Sequence, residues 1–408
     1  MKVLHRRCAG LDVHKQVVVA CARLLAKRTV SYELKRFATT TQGLLQLADW
    51  LEQLGVTHVA MEATGVYWKP VWHLLEGRFE LLLANPQHVR NVPGRKSDTN
   101  DASWIADLLA HGLIEASFVP ERPIRELRDL TRTRRQLGRE IVQHSNRIAK
   151  VLEDANIKLD SMISDLMGMS GRNILKAMIA GETDPARLAE LGSTRLKCTR
   201  ADLIAALDGR LTAHHRFLLA QHLALVEQLE AAVAEFDSAI EAAIAPFRDV
   251  IERLKGAPGL KGVAAPALIA EIGLDMTRFA SAGHILSWAR LVPRLDESAG
   301  KKRSRRVKKG GAWLKPLLVQ CAWAAIRKKD SYLQGQFRRL RARRGEKTAI
   351  VAVAASILTA VYHMLRNATP YRDPGPQGFT VRDNAKLATS LARRLRNLGY
   401  QVDLKAAA

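Results

Sequence analysis

The order of apolar runs in the first 117 residues constrains this chain most. Three strand-like runs follow one another before the first helical pattern begins. Ala9 to Val13 reads as a strand, and His14-Lys15 turns the chain into Val17 to Cys21. A third strand is expected near Val30 to Phe37. Thr39, Thr40 and Thr41 then offer N-caps to a helix through Leu44, Leu45, Leu47, Trp50 and Leu51, which Gly55 stops. Thr57 to Met61 reads as a buried strand, and Thr64-Gly65 opens a helix through Trp68, Val71, Trp72 and Leu75. Phe79 to Ala84 makes a fifth strand, closed by Asn85-Pro86. Strands in succession followed by helix–strand alternation give a mixed sheet flanked by helices, an α/β unit over 1–120.

The pattern then becomes helical. Leu127, Leu130, Leu137 and Ile141 recur at helical spacing, with Arg125, Arg128, Arg132, Arg134, Arg135 and Arg139 on other faces. A second long helix, about Thr212 to Ile244, carries Leu218, Leu219, Leu223, Leu225, Val226, Leu229, Val233 and Phe236. Two such helices around a shorter helical insert suggest an antiparallel coiled-coil arm over 121–250. Its arginines are either a solvated face or a phosphate-contacting surface. Residues 251–370 read as a third, mainly α-helical unit. It opens on Pro258-Gly259-Leu260-Lys261-Gly262, which resembles a helix-hairpin-helix turn and reads equally as a plain Gly-rich turn. A basic loop follows, with Lys301, Lys302, Arg303, Arg305, Arg306, Lys308 and Lys309 as candidate nucleic-acid contacts. A Pro/Gly-rich linker and a basic tail helix, about Asn384 to Leu398, fill 371–408.

Charge narrows the partner. With 64 Lys and Arg against 40 Asp and Glu, the net charge is +24 over 408 residues. Such an excess is self-repulsive without a polyanion, and nucleic acid is the polyanion expected. A membrane is not: the most apolar stretch, Ala349 to Tyr362, is too short to span and fits a buried helix, and Met1 to Arg7 lacks a signal-peptide core. The four cysteines are scattered, without zinc or disulfide spacing, which points to a reducing cytoplasm.

In so basic a chain, acids at strand ends stand out. Asp12 lies in the run Cys8 to Val13, Glu62 ends Val59-Ala60-Met61, and Asp98 and Asp101 are three apart at the start of an amphipathic helix. Acids from two strands and a helix face can converge at one sheet edge and hold Mg2+ for phosphoryl transfer. Lys96 stands where it could neutralise a phosphate. The alternative for each acid alone is ordinary: a turn residue, or a helix cap at Ser97-Asp98.

Four ordered blocks carry a resemblance: Gly10-Leu11-Asp12-Val13-His14-Lys15, Met61-Glu62-Ala63-Thr64-Gly65-Val66-Tyr67, Asn85-Pro86, and Lys96-Ser97-Asp98-Thr99-Asn100-Asp101-Ala102. Together they resemble the DEDD transposases of insertion sequences, and Pro293-Arg294-Leu295-Asp296-Glu297-Ser298 is similar to that family's C-terminal block. The resemblance implies a RuvC-like, RNase-H-fold catalytic domain and an Mg2+-binding tetrad of Asp12, Glu62, Asp98 and Asp101. It also implies a nucleophilic Ser298 that forms a covalent phosphoserine link to DNA, with Ser304 the other serine in the loop. Donor and target DNA, a bridge-type guide RNA encoded by the element, and dimers or tetramers that share active sites are implied too, at work on the bacterial nucleoid. Members often carry Gly after the serine, where this chain has Ala299. Two other readings stay open: a junction-resolving nuclease that uses water, and a non-catalytic nucleic-acid-binding protein.

Overall fold

The computed structural model describes residues 3–63, 65–85, 101–293, 296–298, 301–304, 307, 310–376 and 378–404; for 296–298, 301–304 and 378–387 it describes the backbone alone. The chain divides into two compact units, Met1–Pro120 and Glu121–Ala408.

The first unit is built on a five-stranded mixed sheet. β1 (Arg7–Val13), β2 (Val17–Ala26) and β3 (Thr29–Ala38) form an antiparallel meander. β4 (His58–Glu62) then pairs parallel with β1, and β5 (Glu80–Ala84) parallel with β4. The strand order is therefore 3-2-1-4-5, with β1 central. Five strands were expected from the apolar runs, and each stands where it was placed. Side chains alternate between the two faces. Leu11, Val13, Val18, Val59 and Met61 fill one face, under α1 (Thr41–Gln53) and α2 (Trp68–Leu75). Thr40 caps α1, its hydroxyl accepting from the Gly43 amide. Cys8, Ala60 and Ala84 line the other face, under α3 (Asp101–Ala110) through Ile105, Leu108 and Leu109. β3 is the edge strand, and only Phe37 on it is buried.

The second unit begins with a pair of long helices, α4 (Arg122–Asp154) and, after an insert, α9 (Ala213–Ala243), packed along each other. The insert supplies four short helices: α5 (Leu159–Met162), α6 (Met169–Ala180), α7 (Pro185–Glu190) and α8 (Arg200–Leu207). Ile174, Leu175, Leu203, Leu219 and Leu223 bury together against Ile148 and Leu152 of α4. Capping boxes at Thr199 with Asp202, and at Thr212 with His215, start α8 and α9.

At the other end of the pair, Ile124, Leu127, Ile240 and Ile244 join the core of the helices that follow. These are α10 (Arg248–Lys255), α11 (Ala264–Ile272), α12 (Ala282–Trp288), α13 (Leu314–Ala325), α14 (Tyr332–Arg344) and α15 (Glu346–Arg366). α15 is long and apolar enough to cross a membrane, but Val353, Ala354, Ile357, Leu358 and Val361 bury it in this core, as a buried helix should. Gly259, in the turn before α11, has φ +85°, and a Cβ there would lie 2.1 Å from the Cys321 carbonyl oxygen. Close approach to α13 is thus reason enough for this glycine. The tail helix α16 runs Gly378–Asn397, beginning earlier than the Asn384 start expected.

The arginines of α4 were open to reading as a solvated or phosphate-contacting face. Three of them are instead committed to the fold. Arg128 donates to the Ala270 and Glu271 carbonyls at 2.7 and 3.0 Å, and burial pushes its pKa down to about 10. Arg132 forks onto the buried Glu271 carboxylate at 2.7 and 2.8 Å, and Arg134 pairs with both oxygens of Asp237 on α9. Forked guanidinium–carboxylate bonds fix orientation as well as distance, so α4 is held in register against α9 and α11.

Candidate active site

β1 and β4 run parallel, and Gly10 and Leu11 face Ala60 and Met61. Asp12 and Glu62 are each the next residue, so the two acids fall side by side at the same end of neighbouring strands. Alternation puts both on the face that carries Cys8, Gly10 and Ala60, the face covered by α3. Both are half-buried.

α3 brings a third acid to this end. A Cβ on Gly10 would lie 2.1 Å from the Ala102 carbonyl oxygen and 2.5 Å from the Ala106 nitrogen. The bare glycine therefore lets the helix backbone rest directly on β1. Ala102 also packs on Val19 and Cys21 of β2, and Val19 is the register partner of Asp12. At its other end the helix offers the Ala110 carbonyl to the Leu4 amide, just before β1 starts. α3 thus runs opposite to β1, with its first residue, Asp101, over the Asp12 end.

Two residues not anticipated as site residues support this arrangement. His14 Nε2 lies 3.1 Å from Asp12 Oδ2, across the turn into β2. Asp107 holds α3 in register: its Oδ1 accepts from Arg23 Nε on β2 and from the Tyr32 hydroxyl on β3, both at 2.8 Å. Arg23 is only 4% exposed. Burial alone would lower its pKa, but the bonds to Asp107 and Tyr32 outweigh that and hold it above the ordinary arginine value. Burial, reinforced by Asp107, raises the Tyr32 pKa. A helix six residues past Asp101 could carry an acid for many reasons, so only the fold reveals this one. Beneath α3, burial pushes the Cys8 thiol up to about 12 and the Cys21 thiol to about 11, which leaves both as packing groups.

The donor set is all carboxylate oxygen, the set that suits a hard divalent cation. Asp12, Glu62 and Asp101 share one face and one end of the sheet. Among the described residues no three acidic, imidazole or thiol groups close around a single point. Asp98, the fourth acid expected, lies outside the described residues, as does Lys96.

Ser298 belongs to the second unit. It ends β6 (Asp296–Ser298), which pairs antiparallel with β7 (Lys301–Ser304), Ser298 opposite Lys301. A basic loop was expected here; Lys301, Lys302 and Arg303 instead lie on a strand, in a hairpin continued by the Pro293–Val307 bridge. Arg305, Arg306, Lys308 and Lys309 lie outside the described residues.

Two family models match the chain. One, the transposase model for DEDD enzymes of the IS110 type, matches residues 9–157. The other, described as the transposase IS116/IS110/IS902 family, matches residues 251–338. The first span contains all four candidate acids and the second contains Ser298 and its hairpin. Among curated proteins, the insertion element IS110 uncharacterized 43.6 kDa protein of Streptomyces coelicolor is 27% identical over 316 residues, covering 71% of this chain and 75% of the relative.

Proposed function

The chain belongs to the IS110 family of DEDD transposases, and from that premise we propose that Asp12, Glu62, Asp98 and Asp101 form the acidic centre and Ser298 the nucleophile of its recombination reaction. The observation that carries the first half is the pairing of Asp12 and Glu62 at matched ends of parallel strands, with α3 seated on Gly10 so that Asp101 overlies them. The strand order 3-2-1-4-5, a meander continued by two parallel strands, supports an RNase-H-like reading of the first unit.

The four carboxylates would hold Mg2+, which supplies charge neutralisation for a phosphodiester and acidifies a hydroxyl bound near it. The chain's own residues do the rest. Asp12 is oriented by His14, and Asp101 by the seating of α3. The Ser298 hydroxyl attacks phosphorus in the DNA backbone. The Oγ–P bond forms as the bond from phosphorus to a strand oxygen breaks, and the hydroxyl proton is balanced by the one the departing strand hydroxyl takes up. Lys96 and the basic residues Lys301, Lys302, Arg303, Arg305, Arg306, Lys308 and Lys309 neutralise strand phosphates. Because phosphate contacts position without specifying, sequence choice is assigned to a bridge-type guide RNA, with two or four copies of the chain in the working assembly.

The test is recombination of a donor plasmid that carries the element with its flanking non-coding DNA. Wild type, Asp98→Ala and Ser298→Ala are compared, with denaturing gels probed for protein bound covalently to DNA. An adduct that is absent in Ser298→Ala is expected. Cleavage that persists in Ser298→Ala without an adduct would assign the chemistry to water instead.

A further inference from the structure

The second unit holds a cavity of about 390 Å3 between α4, α11 and α13, lined by Arg132, Arg134, Arg135 and Arg139 from α4, Glu271 from α11, and Trp313 at the start of α13. The volume falls within the range of small-molecule sites, about 300–1,000 Å3. Its charges do not balance. Glu271 is taken by the fork from Arg132, and Asp237 takes Arg134. Among the described residues, Arg135 and Arg139 form no ion pair with a carboxylate, although the charge of Glu271 reaches Arg135; Arg135 donates only to the neutral Trp313 carbonyl, at 2.9 Å. They are four residues apart on one helix face, so their charges repel. Burial, then the charge of Arg139, lowers the Arg135 pKa. The N-terminus of the twelve-residue α13 adds further positive potential at Trp313.

The aromatic plane narrows the ligand. Arg132 and Arg139 lie 5.0 and 5.8 Å from the Trp313 ring centre; the ring is half-buried, and Arg139 beside it is exposed. Inorganic anions would use the guanidinia but leave the ring unused. A nucleotide uses both: the base stacks on indole or guanidinium, and its phosphate bridges Arg135 and Arg139.

We propose that this cavity captures one unpaired nucleotide of the nucleic acid the protein handles, its base against Trp313 and its phosphate on Arg135 and Arg139. The inference rests on the reading of the chain as a nucleic-acid enzyme, but not on which residues cut. It separates two classes of arginine on α4: Arg128, Arg132 and Arg134 hold the fold, while Arg135 and Arg139 hold the ligand.

Fluorescence anisotropy tests it with a short, fully paired duplex and the same duplex carrying one unpaired nucleotide, each made as DNA and as RNA. Wild type prefers the bulged probe in at least one of the two chemistries, and the chemistry that shows the preference identifies the strand that supplies the nucleotide. Trp313→Leu and Arg139→Gln reduce the ratio of bulged to paired affinity on the order of tenfold, and Trp313→Phe restores it. Arg139 is exposed, so Arg139→Gln carries the test if the Trp313→Leu protein does not fold. No preference in either chemistry, or a preference that survives Arg139→Gln, overturns the proposal. Asp12→Asn serves to separate the two readings: it keeps the bulge preference while losing cleavage. If it keeps cleavage, the catalytic reading falls and the cavity stands.

Discussion

Gly10→Ala adds one methyl group at the contact that seats α3 on the sheet. The new Cβ would sit 2.1 Å from the Ala102 carbonyl oxygen and 2.5 Å from the Ala106 nitrogen, where ordinary contact begins at 3.4 Å. Both neighbours are helix backbone, so no side chain can swing aside. The helix must retreat by roughly 1 Å or more along its first two turns. Overpacking of this kind costs about 1–3 kcal/mol of stability. Asp101 moves with the helix while Asp12 stays with the strand, and displacement of a reacting constellation by about 1 Å is worth on the order of 10²-fold in rate. The assay pairs urea denaturation with single-turnover strand cleavage at a temperature where the variant is fully folded. The expected result is a lower unfolding midpoint together with a cleavage loss far larger than any loss of folded protein. A Gly10→Ala protein with wild-type midpoint and wild-type cleavage would refute the claim that this contact places Asp101.

Asp107→Asn removes the charge that faces the buried Arg23; unfolding should become easier by roughly 1–3 kcal/mol, below the cost of a fully buried pair because Asp107 is a third exposed. The double variant Asp107→Asn, Arg23→Met should recover part of that loss, as chemical denaturation would show. His222 on α9 faces His144 on α4 at 3.1 Å, and burial, then His144, then Arg147, hold its pKa below the ordinary 6.5. The folded state therefore disfavours the proton: this part of the stability is complete above about pH 6.5 and is lost as pH falls toward the depressed folded value. A denaturation series across that window should slope for wild type and flatten in His222→Gln. Cys8, with its thiol pushed up to about 12 and the residue fully buried, should resist alkylation in the native protein and react only on unfolding.

The sheet was legible because its apolar runs are short and separated by clear turns. The two long helices were legible from leucine spacing. Asp12 and Glu62 stood out as acids within apolar runs, but their adjacency depends on the register of β1 against β4, which no local pattern reports. The same is true of Gly10, whose glycine needs no unusual backbone angle and is explained only by the helix laid across it. Asp107 and Arg23 read as ordinary surface charges until the fold buries the arginine 84 residues away. On α4 the periodicity separates apolar from charged faces but does not say which charged face meets α11, so structural and free arginines look alike. Lys301 to Arg303 read as a loop because lysine and arginine carry little strand preference; hairpin pairing with Asp296 to Ser298 overrides it.

The most direct measurement of the central claim is single-turnover cleavage of the element's end by Asp12→Asn and Glu62→Gln proteins, at fixed Mg2+ and with wild-type folding verified. If the paired strand ends hold the reacting centre, each variant falls to the background rate while still binding the DNA. Wild-type cleavage by either variant would place the chemistry elsewhere in the chain.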